Sequence, residues 1–305
     1  MNGKPEPKRR TPATLQDLTY GVQRSRRLLI ATIRALEAFQ DAITIVGAHA
    51  VHAWAQEAWG NFEMQATRDA DVVLNPVFVT AEPKLLEVMA SIRMTPALID
   101  RPGIYGYADE STLPLGERST VDLIVPEAYA GAGRRAGRIV GQKNATGRAT
   151  GLELAIWDRH PQQVTAIDDT SDQVNAWVAG PAALLVAKAH KVHERAAQAA
   201  TRPHRLRAKD SGDVALLMMV SRPDDVARVM AERSDEHPEI ALVVARGAQW
   251  LIEMYGDPSS VMRRHAADAL AGRFDDEQVH ASVEAWLEGF RATEMVTALF
   301  PAPRE

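Results

Sequence analysis

The chain has no cysteine, which excludes a disulfide framework, a thiolate metal site and a cysteine nucleophile. It has no apolar run near the roughly 20 residues that a bilayer-spanning helix needs, so no membrane partner is expected. The first residues, MNGKPEPKRRTPAT, are charged and proline-rich with no apolar stretch behind them. That pattern is not a secretory signal; residues 1–12 read as a disordered tail and the protein as cytoplasmic. There is no internal repeat, and no low-complexity segment beyond the tail. The formal net charge is only −5, which does not favour a surface that binds nucleic acid everywhere. Two histidine pairs, His49/His52 and His190/His193, lack the i, i+4 spacing and the third soft ligand of a zinc site, and read as ordinary helix histidines.

What is present is ordinary globular material: 305 residues, 46% hydrophobic and 25% charged, a length that suggests about two domains. Apolar residues recur at helical spacing from about Leu15 to Phe39. AITIVG (42–47) is a short β-branched run ending in glycine, a buried strand. AHAVHAWAQEAW favours helix. FEMQATRDADVVLNP returns to strand and stops at Asn75-Pro76, and EPKLLEVMASIR is a helix with proline in its first turn. GIYGY, STVDLIV, RIVG, LELAIW and QVTAI read as further strands. Past about Pro181 strand signals end and five helical segments follow, with Trp250, Trp286, Phe290 and Phe300 spaced as their core. The fold class is therefore α/β (α+β): a domain over 13–175 with helices on a mixed sheet, then an all-helical domain over 176–305.

Positive charge is local. Between Lys188 and Lys209 there are seven basic residues (Lys188, Lys191, Arg195, Arg202, Arg205, Arg207, Lys209) against one acid, Glu194. A second basic stretch covers 133–148. Two such patches on an acidic chain suggest a localised anionic ligand, or else two solvated faces. GAGRRAG (131–137) echoes a dinucleotide-binding glycine loop, but no helix follows it; it reads as a flexible basic loop.

Chemistry concentrates at TRDADVVL (67–74). On an extended backbone the side chains of Asp69 and Asp71 point the same way and repel one another unless a cation lies between them. Upstream, Gly47 ends a strand and opens a helix, an arrangement that lets backbone approach a phosphate and offers it N–H groups and a positive dipole end. Asp122, inside the apolar run STVDLIV, would be costly to bury without a partner. Two carboxylates beside a phosphate site suit Mg²⁺, and a third could complete a two-metal site.

The run IVGAHAVHAW…TRDADVVL…VDLIV resembles the nucleotidyltransferase superfamily with the DNA polymerase β-like fold. GPAALLVAKAHKVHERAA followed by RLRAKDSGDVALL resembles the AbiEii-type toxin nucleotidyltransferases, with their lysine helix and Lys-Asp-x-x-Asp motif. The similarity spans roughly Ile43 to Leu217. It implies that Asp69 and Asp71 are catalytic metal ligands and that Gly47, Ala48, Arg68, Lys188 and Lys209 hold the nucleotide; Asp122 as a third metal ligand is expected from its place in the strand pattern. Lys188 and Asp210 would line the site from the helical domain, supported by Lys209 and Asp213. One departure is Ala48, where the family usually has glycine or serine, so a hydroxyl phosphate ligand is lost. The resemblance further implies NTP as substrate, Mg²⁺, an RNA acceptor such as the tRNA acceptor end, and a toxin with a cognate antitoxin. The alternatives are a protein or a small aminoglycoside-like molecule as acceptor, or a non-catalytic binding protein on the same fold.

Overall fold

The first apolar periodicity becomes one long helix, α1 (Leu15–Ala35), in a computed structural model that describes residues 15–299 apart from 61, 65 and 134. The expected tail at 1–12 and Phe300 lie outside the described residues. After α1 come β1 (Ile43–Val46), α2 (Gly47–Trp59), β2 (Asp69–Leu74), α3 (Leu85–Ser91), β3 (Met94–Pro96), β4 (Ile104–Tyr107), β5 (Thr120–Pro126), β6 (Gly147–Ala149), β7 (Arg159–Thr165) and β8 (Gln173–Ala179). The rest is helical: α4 (Pro181–Ala197), α5 (Ala208–Val220), α6 (Pro223–Glu236), α7 (Pro238–Tyr255), α8 (Val261–Leu270), α9 (Asp276–Ala292) and α10 (Glu294–Leu299). The fold is mixed α/β, a mixed sheet flanked by helices with a helical C-terminal part.

The sheet order is β3-β4-β5-β2-β1-β8-β7, with β6 beside β5. The aspartate-bearing strand β2 is thus central, antiparallel to β1 and parallel to β5. Period two then sorts the side chains. On β5, Val121, Leu123 and Val125 enter the core while Asp122 and Ile124 line a cleft. On β2, Ala70 and Val72 are fully buried, and Asp69 and Asp71 face that same cleft. Helix α1 packs against β2, β5 and β8; α2 packs against β1 and β2 and also contacts α4 and α5.

Helix α4 starts at Pro181 after Gly180, and the carboxylate of buried Asp158 accepts the Ala183 N–H at 2.8 Å. That contact satisfies one of the first-turn donors a helix leaves open. Leu184, Leu185, Val186 and Val192 are buried along α4, each worth about 1.5–3 kcal/mol of transfer free energy. They seat the helix between α5 and α7, which fixes where its lysines emerge.

Three local expectations differ. LELAIW is a 3₁₀ turn (Glu153–Ile156) rather than a strand, because the buried Glu153 carboxylate accepts the N–H groups of Gly151 and Ala128 and winds the chain around itself. RIVG holds only one bridge, Ile139 with Gln142. Conversely QVNAWVA, not among the expected strands, is β8; it pairs with β7 and β1 and carries the sheet to Ala179, past 175.

Candidate active site

The turn at Gly47 is set by two constraints. Val46 is extended and Gly47 has φ +69°, a left-handed conformation that only glycine adopts cheaply. A Cβ there would also stand 2.0 Å from Oδ2 of Asp71. The first turn of α2 has no side-chain cap, so its backbone N–H groups stay available at the positive end of the helix. Gly47 and Ala48 both line the cleft, which holds about 960 Å³.

The sheet supplies an acidic wall. Asp71 stands in register beside Asp122, and Asp69 beside Thr120, whose hydroxyl donates to Asp69 Oδ1 at 3.0 Å. Among the described residues, neither Asp71 nor Asp122 forms an ion pair. Desolvation raises the Asp71 carboxyl above its usual range, opposed by Lys191 and reinforced by Asp69. Asp122 is pushed well above the usual range, first by desolvation and then by the charges of Asp71 and Asp69. All-carboxylate oxygens without a cationic partner are a donor set for a hard dication such as Mg²⁺. The three aspartates share the wall without closing on one point: among the described residues, no three His, Asp or Glu side chains form a ready-made metal centre.

The helical side supplies a basic wall whose charges are largely paired internally. Lys188 is buried; its Nζ donates to Asp213 Oδ2 at 2.5 Å and lies 3.9 Å from Asp210. Burial alone would lower the Lys188 pKa, but Asp213 and Asp210 outweigh it and raise it. Asp210 also meets Arg195, and Lys191 at 3.4 Å. For Asp210 burial pushes upward, and Lys191, Lys188 and Arg195 together bring it below the usual range. Asp210 sits in the first turn of α5 yet caps nothing with its side chain. Lys209 donates to the Ala66 carbonyl at 2.7 Å, and burial lowers its pKa to about 8 against the pull of Asp213.

Gly47, Ala48, Asp69, Asp71, Asp122, Lys188, Lys209 and Asp210 therefore all line one cleft. Arg68 does not. It sits at the bend just before β2, its side chain packs against Gly21 of α1, and its guanidinium donates to the Glu117 carbonyl at 3.0 Å.

Lys191, which the sequence offered only as part of a basic run, acts more strongly on the sheet-wall aspartates than Lys188 does. It is half exposed, lines the cleft and acts electrostatically on both Asp71 and Asp122. Its i+3 spacing from Lys188 on one helix was the signal available. All the basic residues from Lys188 to Lys209 except Arg202 line the cleft. Arg148 lines it too, held by Glu127 through bonds of 2.8 and 2.6 Å. The histidines of α2 form a layer behind the site: His49 meets Ser25 at 3.1 Å, and His52 meets Arg26 at 3.0 Å and the Phe62 carbonyl at 2.7 Å. Trp250, expected as core, is half-buried at the edge of the cleft, whereas Trp286 and Phe290 are core.

No protein-family model matches the chain, and no curated protein does. Among solved structures it is similar to the crystal structure of an antigenic nucleotidyltransferase-like protein from Paracoccidioides brasiliensis, at 12% identity and a TM-score of 0.36, over 77% of this chain and 94% of that one. At that TM-score the likeness carries no argument. No helix among the described residues is long and apolar enough to cross a membrane.

Proposed function

We propose that the chain is a Mg²⁺-dependent nucleotidyltransferase that moves a nucleoside monophosphate from an NTP to an acceptor hydroxyl. The observation that carries this reading is the fit of Gly47 against Asp71, with Asp122 in register beside it, facing a lysine-rich helix across one cleft. The open N–H groups of the α2 first turn receive phosphate oxygens. Lys191 and Lys209 draw the polyanion toward the aspartates, while Lys188, pinned between Asp213 and Asp210, fixes the spacing of α4 and α5. Asp69, Asp71 and Asp122 are the residues that would hold the ion. When bound, Mg²⁺ supplies charge neutralisation and a lower pKa for the acceptor hydroxyl. The acceptor oxygen forms a bond to the α-phosphorus, the bond from that phosphorus to the β-phosphate bridging oxygen breaks, pyrophosphate leaves, and the hydroxyl proton passes to solvent. Catalysis of this kind is mostly positioning and charge stabilisation.

The acceptor in this reading is RNA, with the tRNA acceptor end the first candidate. Arg148, Arg195, Arg205 and Arg207 on the cleft rim favour a polyanion over a cationic drug. The resemblance to AbiEii-type toxins extends the proposal to a toxin role with a cognate antitoxin. The test is a transfer assay with each α-³²P-labelled NTP, Mg²⁺ and total tRNA. Label entering tRNA from one NTP, absent with Asp69→Ala and with EDTA, is the expected result. Label on protein or on nothing, with NTP binding intact, would sink the RNA-transfer reading.

A further inference from the structure

The cleft lining includes an aromatic pair that the proposed phosphate chemistry leaves unused. On α7, Trp250 lies flat against His193 of α4, ring centroids 3.8 Å apart and planes 9° from parallel. His190 meets the same indole edge-on at 4.7 Å, and its Nε2 donates to the Val243 carbonyl at 2.8 Å, which locks that ring. From the sheet side, Gly151 (φ +90°) presses on His190 so closely that a Cβ would stand 2.7 Å from the histidine Cβ. That approach brings Leu152 into the cleft, where it joins Ile124 from β5. The result is a planar aromatic pair, braced at its edge by His190, lining the same cleft as the aspartate wall and beside Ile124 and Leu152.

The pair is not spent on internal bonding. Trp54, Trp157 and Trp286 each place the indole N–H on an acceptor: the Ala179 carbonyl, the Tyr129 hydroxyl and the Ser221 hydroxyl. Among the described residues, the indole N–H of Trp250 and the ring nitrogens of His193 have no such partner. A half-buried flat surface with free polar edges, beside a site for phosphates, has the character of a nucleobase platform, because every base offers a π-face and a hydrogen-bonding rim. We propose that the His193–Trp250 pair is the shelf on which a nucleobase stacks, either that of the NTP or that of the acceptor strand. This rests on reading the cleft as a nucleotide site.

The experiment measures binding to the full chain by titration calorimetry. Wild type, Trp250→Ala, Trp250→Phe and His193→Ala are compared against the four α,β-methylene NTPs and tripolyphosphate. A single-stranded oligoribonucleotide and its abasic counterpart complete the set. Stacking on an aromatic predicts a loss of about 5- to 150-fold on truncation to alanine. The expected result is that Trp250→Ala weakens a nucleotide by that factor, leaves tripolyphosphate unchanged, and is largely rescued by Trp250→Phe. If nucleotide affinity holds while the oligoribonucleotide weakens and the abasic strand does not, the base on the shelf belongs to the acceptor. Equal losses for nucleotide and tripolyphosphate, no loss for either base-containing probe, or no binding of either by wild type would overturn the proposal. Should Trp250→Ala fail to fold by its melting curve, His193→Ala and Trp250→Phe give the reading. Base-dependent binding in a protein that transfers no label would leave the shelf standing and remove the transferase.

Discussion

The two walls of the cleft use the same residue type in opposite ways. On the helical wall Asp210 and Asp213 sit among Lys188, Lys191 and Arg195, and Asp210 titrates below its usual range. On the sheet wall Asp71 and Asp122 stand side by side without a bonded cation, and both titrate above it. Carboxylates that fold into ion pairs complete the structure, and breaking one leaves an uncompensated charge. Carboxylates that the fold forces together cost stability unless a ligand supplies the missing positive charge, the role the proposed ion would fill. Pairing, more than the number of acids, separates the two walls.

The largest expected effect follows from that contrast. Asp71→Asn should abolish nucleotidyl transfer, by on the order of 10³-fold or more as for other losses of charge stabilisation, while leaving the melting temperature unchanged or higher. Asp213→Ala should do the reverse to stability. It takes the closer partner from buried Lys188 and leaves only Asp210, 3.9 Å away; breaking a buried pair costs up to about 3–5 kcal/mol, readable by urea denaturation. A destabilised Asp71→Asn protein with an unaffected Asp213→Ala would invert the assignment of the two walls.

Much of the sheet wall was legible before any coordinates. The glycine after AITIV, the Asp-x-Asp spacing and the acid inside STVDLIV are local patterns, and period two carries them directly onto one face. The helical wall was less legible, because its content lies in pairing between segments. Nothing in KAHKVHER says that Lys188 turns inward to Asp213 while Lys191, half exposed in the cleft, meets Asp210; that depends on α4 packing against α5 and α7. Trp250 was read as core for the same reason: aromatic spacing on a helix does not tell a filled interface from a cleft edge. Glu153 shows the converse, since a buried carboxylate collecting backbone N–H groups turned an apolar strand pattern into a 3₁₀ turn.

A smaller effect is written in pH. Lys209 has a folded pKa of about 8 against an ordinary 10.5, so the folded state sheds its proton before the unfolded chain does. Between those values the unfolded state binds more protons, and stability therefore rises with pH. Lys209→Met should remove that rise and be more stable than wild type at pH 7, by about 1–2 kcal/mol once partial exposure is allowed for. Urea midpoints at pH 7 and 10 test it, and parallel curves for the two proteins would show that Lys209 is not desolvated.

The smallest effect sharpens the comparison most finely, because it divides neighbours on one strand edge. Asp69 faces the cleft and Arg68 faces α1, so charge removal at the two positions should have unrelated consequences. Arg68→Ala removes the bond to the Glu117 carbonyl among other contacts of the side chain, a cost of about 1 kcal/mol or more in stability. Because Arg68 does not line the cleft where the proposed nucleotide would sit, KM for the NTP should stay within about twofold, in line with substitutions remote from a site. Were Arg68 to bind the nucleotide instead, KM would rise tenfold or more with stability unchanged. Steady-state kinetics and a melting curve on the one variant separate these outcomes, and they decide whether the alternation of β2 or the charge of its flanking residue governs what reaches the cleft.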